Sequence, residues 1–206
     1  MCGICGQLRF DRRKVSSETL NKMMLKLARR GPDSNGQWIN GKIGFGHQRL
    51  SVIDLSSLGS QPMIDDKLKL SLVFNGTIYN YKSLRDQLTS KGYTFFSQSD
   101  TEVILKAYHF WGENCVKYLD GMFAFAIWDS SSHQLFVARD RMGIKPLYFN
   151  TTSEAFTFAS NSQALLTQSL DKSINPIALQ QQLSLHGVDR KSTRLNSSHL
   201  VISYAV

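Results

Sequence analysis

The chain has 206 residues, with 24 lysines and arginines against 16 aspartates and glutamates, for a formal net charge of +8. This length suffices for one substantial domain with a well-buried core. The basic residues are scattered apart from two short runs, at 12–14 and 29–30, and no nucleic-acid-binding motif accompanies them, so we expect no nucleic-acid partner. Three cysteines, no signal peptide and no apolar run of about 18 residues predict a cytoplasmic protein without a membrane partner.

Apolar patterning predicts strands in clusters with helices between them, rather than a strict alternation of strand and helix. Strands are expected at 2–10, 43–49, 68–74, 122–129, 134–139, 147–150 and 155–159, and helices at 17–30, 79–91, 101–111, 161–168 and 176–184. Asp100 is placed to cap the helix that starts at 101. This arrangement predicts an α+β fold in which antiparallel sheets are covered by helices.

The opening Met1-Cys2 is the most informative dipeptide of the chain. An initiator methionine before a small residue is normally removed, which would leave Cys2 with both a thiol and a free α-amine. An α-amine titrates near pH 8, so it can accept the thiol proton and leave a thiolate nucleophile. Cys2 is therefore a candidate catalytic residue that carries its own base.

The segment Cys2-Gly3-Ile4-Cys5 also has the C-x-x-C spacing of redox and zinc sites. A redox pair usually opens a helix after a strand, whereas this one opens the chain and leads into a strand. A zinc site needs further ligands, and Cys115 lies in an apolar stretch while the five histidines lack paired spacing. We expect no metal site, and we expect Cys5 to be a small buried residue.

Three further polar groups lie where apolar strands or helices are expected to begin or end, namely Arg49, the Asn75-Gly76 pair and Asp100. An arginine can pair with the α-carboxylate of an amino acid and an aspartate with its α-ammonium. An Asn amide and a Gly backbone N–H can stabilise the oxyanion of an attacked amide. Each group also has an ordinary structural interpretation, as a surface ion pair, a turn and a helix cap.

Together these segments resemble the class II glutamine amidotransferases, which are N-terminal-nucleophile hydrolases, and specifically the glutaminase domain of the asparagine synthetase family. The resembling stretches are MCGICG at 1–6, RRGPD at 29–33, GHQRLSVIDLS at 46–56, QPM at 61–63, VFNGTIYNY at 73–81, SDTEVIL at 99–105, DGMFAFAIWD at 120–129 and ARDRMGIKPLYF at 138–149. They occur in family order and at family-like spacing. The resemblance implies a four-layer αββα sandwich of two antiparallel sheets.

The resemblance also implies a reaction, the hydrolysis of glutamine through a γ-glutamyl thioester on Cys2. By motif position, Asn75 and Gly76 match the oxyanion hole, Arg49 the carboxylate clamp and Asp100 the ammonium clamp. The remaining substrate-binding matches are Val52 and Ile53, which line the glutamine pocket with their backbone, and Thr77. The segments 30–33 and 142–146 are interpreted as loop and core structure.

Thr77 departs from the family pattern, because the usual motif is Asn-Gly-Glu-Ile-Tyr-Asn and this chain has Thr where the Glu stands. The change removes one carboxylate near the expected ammonium position. The same site is not Glu in the N-acetylglutaminylglutamine amidotransferase branch. The stretches GQLRFD at 6–11, FFSQSDTEVILKAYHFWG at 95–112 and LSLHGV at 183–188 also resemble that branch. We therefore expect membership of this subgroup.

Family members carry a second domain that binds ATP and Mg through a Ser-Gly-Gly-x-Asp-Ser loop, and this sequence contains no Ser-Gly-Gly. We expect a domain at 1–188, no cofactor within it, a missing C-terminal synthetase domain and an unrelated, disordered or artefactual tail at 189–206. The parent protein is expected to bind glutamine, and a homodimer is one possible assembly of the full-length parent. Two alternatives stay open: a non-catalytic scaffold domain, and a phosphoribosyl or sugar-phosphate amidotransferase.

Overall fold

The computed structural model describes residues 1–168, 176–185 and 201–205. The strands are β1 Gly3–Arg9, β2 Ser34–Asn40, β3 Ile43–Arg49, β4 Met63–Asp65, β5 Leu70–Ile78, β6 Gly121–Asp129, β7 Gln134–Arg139, β8 Tyr148–Thr151, β9 Ala155–Ala159 and β10 Val201–Ala205. The helices are α1 Ser17–Leu27, α2 Tyr81–Ser90, α3 Asp100–Trp111, α4 Ser162–Leu165 and α5 Pro176–Leu185, with 3-10 turns at 28–30, 57–59 and 112–117.

Two five-stranded antiparallel sheets form the centre of the molecule. The strand order is β2-β3-β1-β9-β8 in the first sheet and β10-β7-β6-β5-β4 in the second. A buried apolar cluster that includes Phe45, Phe158, Val73 and Val137 draws residues from both sheets and fills the space between them. Side chains of successive strand residues alternate between the two faces of a sheet, so each sheet has a second face that helices must cover.

The helices cover these outer faces. Leu20, Met23, Met24 and Leu27 recur at helical spacing along α1 and are buried, and three of them pack with α4 against the first sheet. Helices α2 and α3 pack with Leu72, Phe74 and Phe125 on the outer face of the second sheet. The order helix, sheet, sheet, helix confirms the predicted αββα sandwich.

The end of β5 differs from the sequence-based expectation. A strand ending at residue 74 is wrong, because β5 continues through Asn75, Gly76 and Thr77, which pair with Ala124, Phe123 and Met122 of β6. The Asn-Gly pair has a strong local preference for a turn, and the cross-strand ladder overrides it. The site residues of this motif therefore lie within a strand, where their positions are more constrained than in a loop.

The start of α3 also differs. Asp100 is the first helical residue and not the cap, because the Ser99 hydroxyl accepts the hydrogen bond from the Thr101 N–H at 3.1 Å. The Asp100 carboxylate instead accepts a hydrogen bond from the backbone N–H of Ile78 at 3.0 Å. Its carboxylate is thus turned toward the end of β5.

Part of the 189–206 tail also departs from the expected disorder. Val201–Ala205 forms β10, which pairs antiparallel with β7 from Val201↔Ala138 to Ala205↔Gln134. A free strand edge presents unpaired N–H and C=O groups that can accept a further strand, and a run of β-branched and aromatic residues suits that position. The remainder of the tail, at 189–200 and 206, lies outside the described residues.

Cys5 is fully buried, as predicted, and burial raises the pKa of its thiol to about 12. Strands β2 and β4 were not predicted, because β2 is rich in polar residues and β4 has only three residues. Among the described helices, none has the length and apolar character needed to cross a membrane.

Candidate active site

A cavity of about 250 Å³ lies where β1 begins, β3 ends and β5 approaches its end. All eight site residues predicted from the sequence line it: Cys2, Arg49, Val52, Ile53, Asn75, Gly76, Thr77 and Asp100. The structure thus brings together side chains from positions 2 to 100 of the chain. The volume falls below the roughly 300–1,000 Å³ typical of sites for drug-sized ligands, which suits a single amino acid.

The Cys2 thiol is held at the edge of this cavity by the backbone of Leu50. The Leu50 N–H lies 3.3 Å from Cys2 Sγ, and the Leu50 carbonyl oxygen lies 3.5 Å from the same sulfur. These two contacts fix the position of the sulfur at the cavity edge. Cys2 is half-buried, whereas Cys5 and Cys115 are fully buried, so Cys2 is the accessible thiol of the three.

Two cationic side chains flank Cys2. Arg30 Nε donates to the carbonyl oxygen of Cys2 at 3.0 Å, and Lys145 Nζ lies 3.3 Å from Met1 Sδ. Burial lowers the pKa of Arg30, and burial followed by repulsion from Arg30 lowers the pKa of Lys145. Within the described part of the chain, neither side chain forms an ion pair with a carboxylate. Positive charge is therefore concentrated at this end of the cavity.

Asn75 and Gly76 contribute an unsatisfied donor and a close backbone approach. Asn75 is 1% exposed, and its Nδ2 has no hydrogen-bond partner among the described residues. Leaving a buried donor unpaired costs about 1–3 kcal/mol, so a ligand oxygen in the cavity is its natural partner. A Cβ on Gly76 would lie 2.3 Å from the carbonyl oxygen of Met122. Only glycine therefore allows β5 and β6 to pair at this point.

Asp100 is a buried carboxylate without a cationic partner. It is 4% exposed, and burial raises its pKa to about 6, although backbone hydrogen bonds from Ile78 and Thr101 partly oppose this shift. It forms no ion pair within the described residues. Burying an uncompensated charge is costly unless a ligand supplies the opposite charge. Asp100 is therefore suited to receive a cationic group.

Arg49 organises the loop that closes one side of the cavity. Its Nη1 donates to the carbonyl oxygen of Ser56 at 3.0 Å and approaches Ser60 Oγ at 3.5 Å, and its Nη2 donates to the carbonyl oxygen of Asp54. A guanidinium has five N–H donors, so these bonds leave donors available for a carboxylate. Arg49 thus shapes the loop and lines the cavity at the same time.

The loop carries Val52 and Ile53. The Val52 side chain is exposed and that of Ile53 is half-buried, while both line the cavity. Asp33 Oδ2 accepts a hydrogen bond from the Ser51 N–H at 2.7 Å, and Asp54 Oδ2 accepts one from the Gln98 N–H at 3.0 Å. These tethers hold the loop at both ends, which agrees with a backbone contribution from Val52 and Ile53.

Thr77 lines the same cavity as Asp100 and is half-buried, and it directly precedes Ile78, whose N–H donates to the Asp100 carboxylate. The Thr77 hydroxyl is uncharged. Among the described lining residues, the carboxylates are those of Asp54 and Asp100. Asp54 is already bonded to Ser56 and Gln98. A ligand cation in this cavity is thus directed to Asp100.

The sequence interpretation missed the roles of two motifs near the thiol. Segments 30–33 and 142–146 were assigned to loop and core structure, yet Arg30 contacts Cys2 and Lys145 lines the cavity. Gly31 also packs on the backbone of Gln48, where a Cβ would lie 2.3 Å from the carbonyl oxygen. Both segments lie in stretches that resemble the family. Their proximity to Cys2 arises only in the folded chain, so the local sequence does not reveal it.

Within residues 1–168, 176–185 and 201–205, no group of three or more His, Cys, Asp or Glu side chains could hold a metal ion. The side chains that line the cavity include one thiol, the two amides of Gln61 and Asn75, two carboxylates and two cations, a set suited to an organic ligand with charges of both signs.

The two-sheet fold is shared with a solved amidotransferase of low sequence identity. The glutamine phosphoribosylpyrophosphate amidotransferase of Bacillus subtilis superimposes with a TM-score of 0.67 over 80% of this chain and 43% of its own, at 22% identity. Residues 1–202 match the sequence profile of the glutamine amidotransferase domain, and the chain belongs to that family. The matched range runs beyond residue 188, where the motif resemblance was expected to end.

Within this family, the chain is similar to glutamine-hydrolyzing asparagine synthetases. Asparagine synthetase (glutamine-hydrolyzing) 1 of Bacillus subtilis is 41% identical over 198 residues, which cover 94% of this chain and 31% of the relative. Asparagine synthetase (glutamine-hydrolyzing) 3 of the same organism is 40% identical over 169 residues, covering 81% of this chain and 27% of the relative. The chain thus spans about a third of the length of the relatives it matches.

Proposed function

We propose that this chain is a glutaminase domain that hydrolyses glutamine to glutamate and ammonia with Cys2 as the nucleophile. The observation that carries the proposal is the shared cavity. It joins the accessible thiol of Cys2, the unpartnered amide of Asn75 and the unneutralised carboxylate of Asp100. These groups complement the side-chain amide and the α-ammonium of one glutamine molecule.

The first chemical step uses groups at the chain terminus. Removal of Met1 gives Cys2 a free α-amine, which accepts the thiol proton. The thiolate attacks the glutamine side-chain carbon, an S–C bond forms, and the carbonyl oxygen becomes an oxyanion. Asn75 Nδ2 and the Gly76 N–H are placed to stabilise that oxyanion, because such donors matter most where charge develops.

The second half of the reaction returns the enzyme to its starting state. The oxyanion collapses, the C–N bond breaks, and the ammonium of Cys2 gives its proton to the leaving nitrogen, which departs as ammonia. A γ-glutamyl thioester remains on Sγ. Water, with the amine again acting as base, adds to the thioester, and the S–C bond breaks to release glutamate.

The ends of the amino acid are held by opposite charges. Asp100 receives the α-ammonium, and Arg49 receives the α-carboxylate through the donors that its loop contacts leave available. Val52 and Ile53 close the cavity through the loop, and Thr77 contributes a neutral hydroxyl to the same lining. Binding both ends fixes the amide next to Sγ, which lowers the entropic cost of attack.

The ammonia is proposed to amidate a carboxylate that ATP activates, with Mg, in a synthetase domain that lies outside this sequence. The relatives, named as glutamine-hydrolyzing asparagine synthetases, are about three times as long as the matched region. Thr77 and the stretches shared with the N-acetylglutaminylglutamine amidotransferase branch favour that dipeptide as acceptor over aspartate. We also propose that the parent protein is cytoplasmic, because the three cysteines of this chain are free thiols, as is usual in a reducing compartment.

The test is glutamine hydrolysis by the purified chain. Intact mass should show loss of Met1, ammonia should be released from glutamine, and 6-diazo-5-oxo-norleucine should add once, on Cys2. A Cys2→Ala variant should lose both ammonia release and labelling. Ammonia release that persists in Cys2→Ala would overturn the nucleophile assignment. A folded, Met1-free protein with no release and no adduct would favour a non-catalytic scaffold.

A further inference from the structure

Lys145 is the charged residue of the cavity that the proposed reaction leaves without a task. It is 5% exposed, it lines the cavity, and its Nζ lies 3.3 Å from Met1 Sδ. A lysine is rarely buried to this extent unless it is paired. Within the described residues it has no ion-pair partner, so its burial calls for a different explanation.

The backbone around Lys145 is fixed by Asp140. The buried Asp140 carboxylate accepts hydrogen bonds from the N–H groups of Phe123, Ile144 and Lys145 at 3.2, 2.8 and 3.0 Å. Arg139 Nε in turn donates to the carbonyl oxygen of Lys145 at 2.6 Å. The backbone of Lys145 is therefore anchored through both its N–H and its carbonyl group, and its ammonium lies against Met1 at the start of the chain.

The surroundings of the Cys2 terminus are positively charged. Arg30 donates to the Cys2 carbonyl oxygen at 3.0 Å, and Lys145 interacts electrostatically with Cys2, Arg30 and Asp140. Tyr148 faces Arg30. Asp140 is the one carboxylate that acts on Lys145, and its oxygens are already engaged by backbone N–H groups.

We propose that Lys145 is an electrostatic activator of Cys2. The Lys145 ammonium promotes loss of the first proton from the amine–thiol pair that Met1 removal creates on Cys2. The inference rests on the proposed function, because it gives Lys145 a role in the same reaction. The amine would form within one residue of the atom that Lys145 Nζ now contacts. A nearby cation disfavours a second ammonium and favours a thiolate.

The effect does not depend on which of the two groups holds the remaining proton. Losing one proton from the fully protonated pair gives either a neutral amine with a thiol or an ammonium with a thiolate. Both forms carry one positive charge fewer, so a neighbouring cation favours both. The pair titrates as one coupled unit, and Lys145 acts on the apparent pKa of that unit.

The experiment measures the rate of Cys2 alkylation by iodoacetamide between pH 5 and pH 10 on Met1-free protein. Cys5 and Cys115 are fully buried, and burial raises the pKa of each thiol to about 12, so the adduct reports on Cys2. In Lys145→Met the apparent pKa of alkylation should rise by about one unit, as expected for a unit charge several ångströms away. The rate near pH 7 should fall about tenfold.

Two variants separate charge from other roles. Lys145→Arg keeps the charge and should retain the wild-type pH profile, whereas a lysine acting as a proton acceptor could not be replaced by arginine. Lys117→Met removes one charge from an exposed position outside the cavity and should leave the profile unchanged. Lys145→Gln repeats the test if Lys145→Met does not fold, and thermal unfolding identifies that case.

The outcomes distinguish this inference from the proposed function. A folded Lys145→Met or Lys145→Gln protein with the wild-type alkylation profile would overturn the role of Lys145, as would a Lys145→Arg profile like that of Lys145→Met. Alkylation does not require glutamine, so a chain that fails to hydrolyse glutamine but shows the expected shift contradicts the glutaminase assignment alone.

Discussion

Replacing Asp100 by asparagine should make the domain more stable and, at the same time, a poorer binder of glutamine. Asp100 is buried, it forms no ion pair with a described residue, and burial raises its pKa to about 6 from an ordinary 3.8. An asparagine can still accept the hydrogen bond that the Ile78 N–H now donates at 3.0 Å. The substitution removes the charge and keeps the shape.

The size of the gain follows from the two pKa values. A folded pKa above the unfolded one means that ionisation opposes folding, so the wild-type chain loses stability as the pH rises from about 4 to about 6. One pKa unit corresponds to about 1.4 kcal/mol, so the loss reaches at most about 3 kcal/mol at pH 8 and about half of that at pH 5. For a domain of this size, 3 kcal/mol corresponds to roughly 6–12 °C in Tm.

The assay is urea or thermal unfolding of wild type and Asp100→Asn at pH 8 and pH 5. The variant should be more stable at pH 8, with a gap that shrinks toward pH 5, and its KM for glutamine should rise at least about tenfold because a charged partner of the α-ammonium is lost. Asp65→Asn is the matched control, since Asp65 is also buried but pairs with Lys106. That change should destabilise the fold at pH 8.

Two results would refute this reasoning. If Asp100→Asn were no more stable than wild type at pH 8, Asp100 would not be an uncompensated buried charge. If its KM for glutamine were unchanged, Asp100 would not hold the α-ammonium. The two readouts are independent, so the electrostatic and the binding arguments can fail separately.

Three further predictions concern neighbouring positions. Gly76→Ala should destabilise the domain by about 1–3 kcal/mol in thermal unfolding and abolish glutamine hydrolysis, because its Cβ would lie 2.3 Å from the Met122 carbonyl oxygen; wild-type behaviour would contradict the close strand approach. Thr77→Glu should lower the KM for glutamine by placing a second carboxylate near the α-ammonium; an unchanged or higher KM in the folded variant would contradict that placement. His47 is fully buried, and burial lowers its pKa to about 3, although a backbone hydrogen bond with Phe74 partly opposes this shift. Its folded pKa lies below the ordinary 6.5, so the stability that it contributes is complete above pH 6.5 and is lost toward pH 3, by up to about 5 kcal/mol; His47→Gln should flatten this part of the acid-unfolding curve, and an equally steep curve would contradict the assignment.

Regular apolar patterns made much of the fold predictable. The strands at 43–49, 134–139 and 155–159 have the bounds expected from the sequence. The second and third of these are rich in apolar residues, which signal a buried strand locally. The strand β2 was missed because its residues are largely polar and half-buried or exposed. Its place in the sheet comes from pairing with β3 along its whole length, and pairing is not a local signal.

The same distinction applies to the site. Cys2, Arg49, Asn75 and Asp100 were found from residue type and motif order, and all four line one cavity. The sequence analysis did not include Lys145 in the site, because segment 142–146 was interpreted as loop and core structure. The anchoring of that loop by Asp140 then brings the lysine to the start of the chain.

The sequence by itself determined which chemical groups are available: a thiol next to the chain start, an Asn-Gly pair, an arginine and an aspartate in family order. Only the tertiary structure decided which of these groups are satisfied. The Asn75 amide is left without a partner and Asp100 without a counter-charge, whereas Asp65 is neutralised by Lys106. Hydrogen bonding and charge compensation depend on neighbours in space, and those neighbours come from distant parts of the chain.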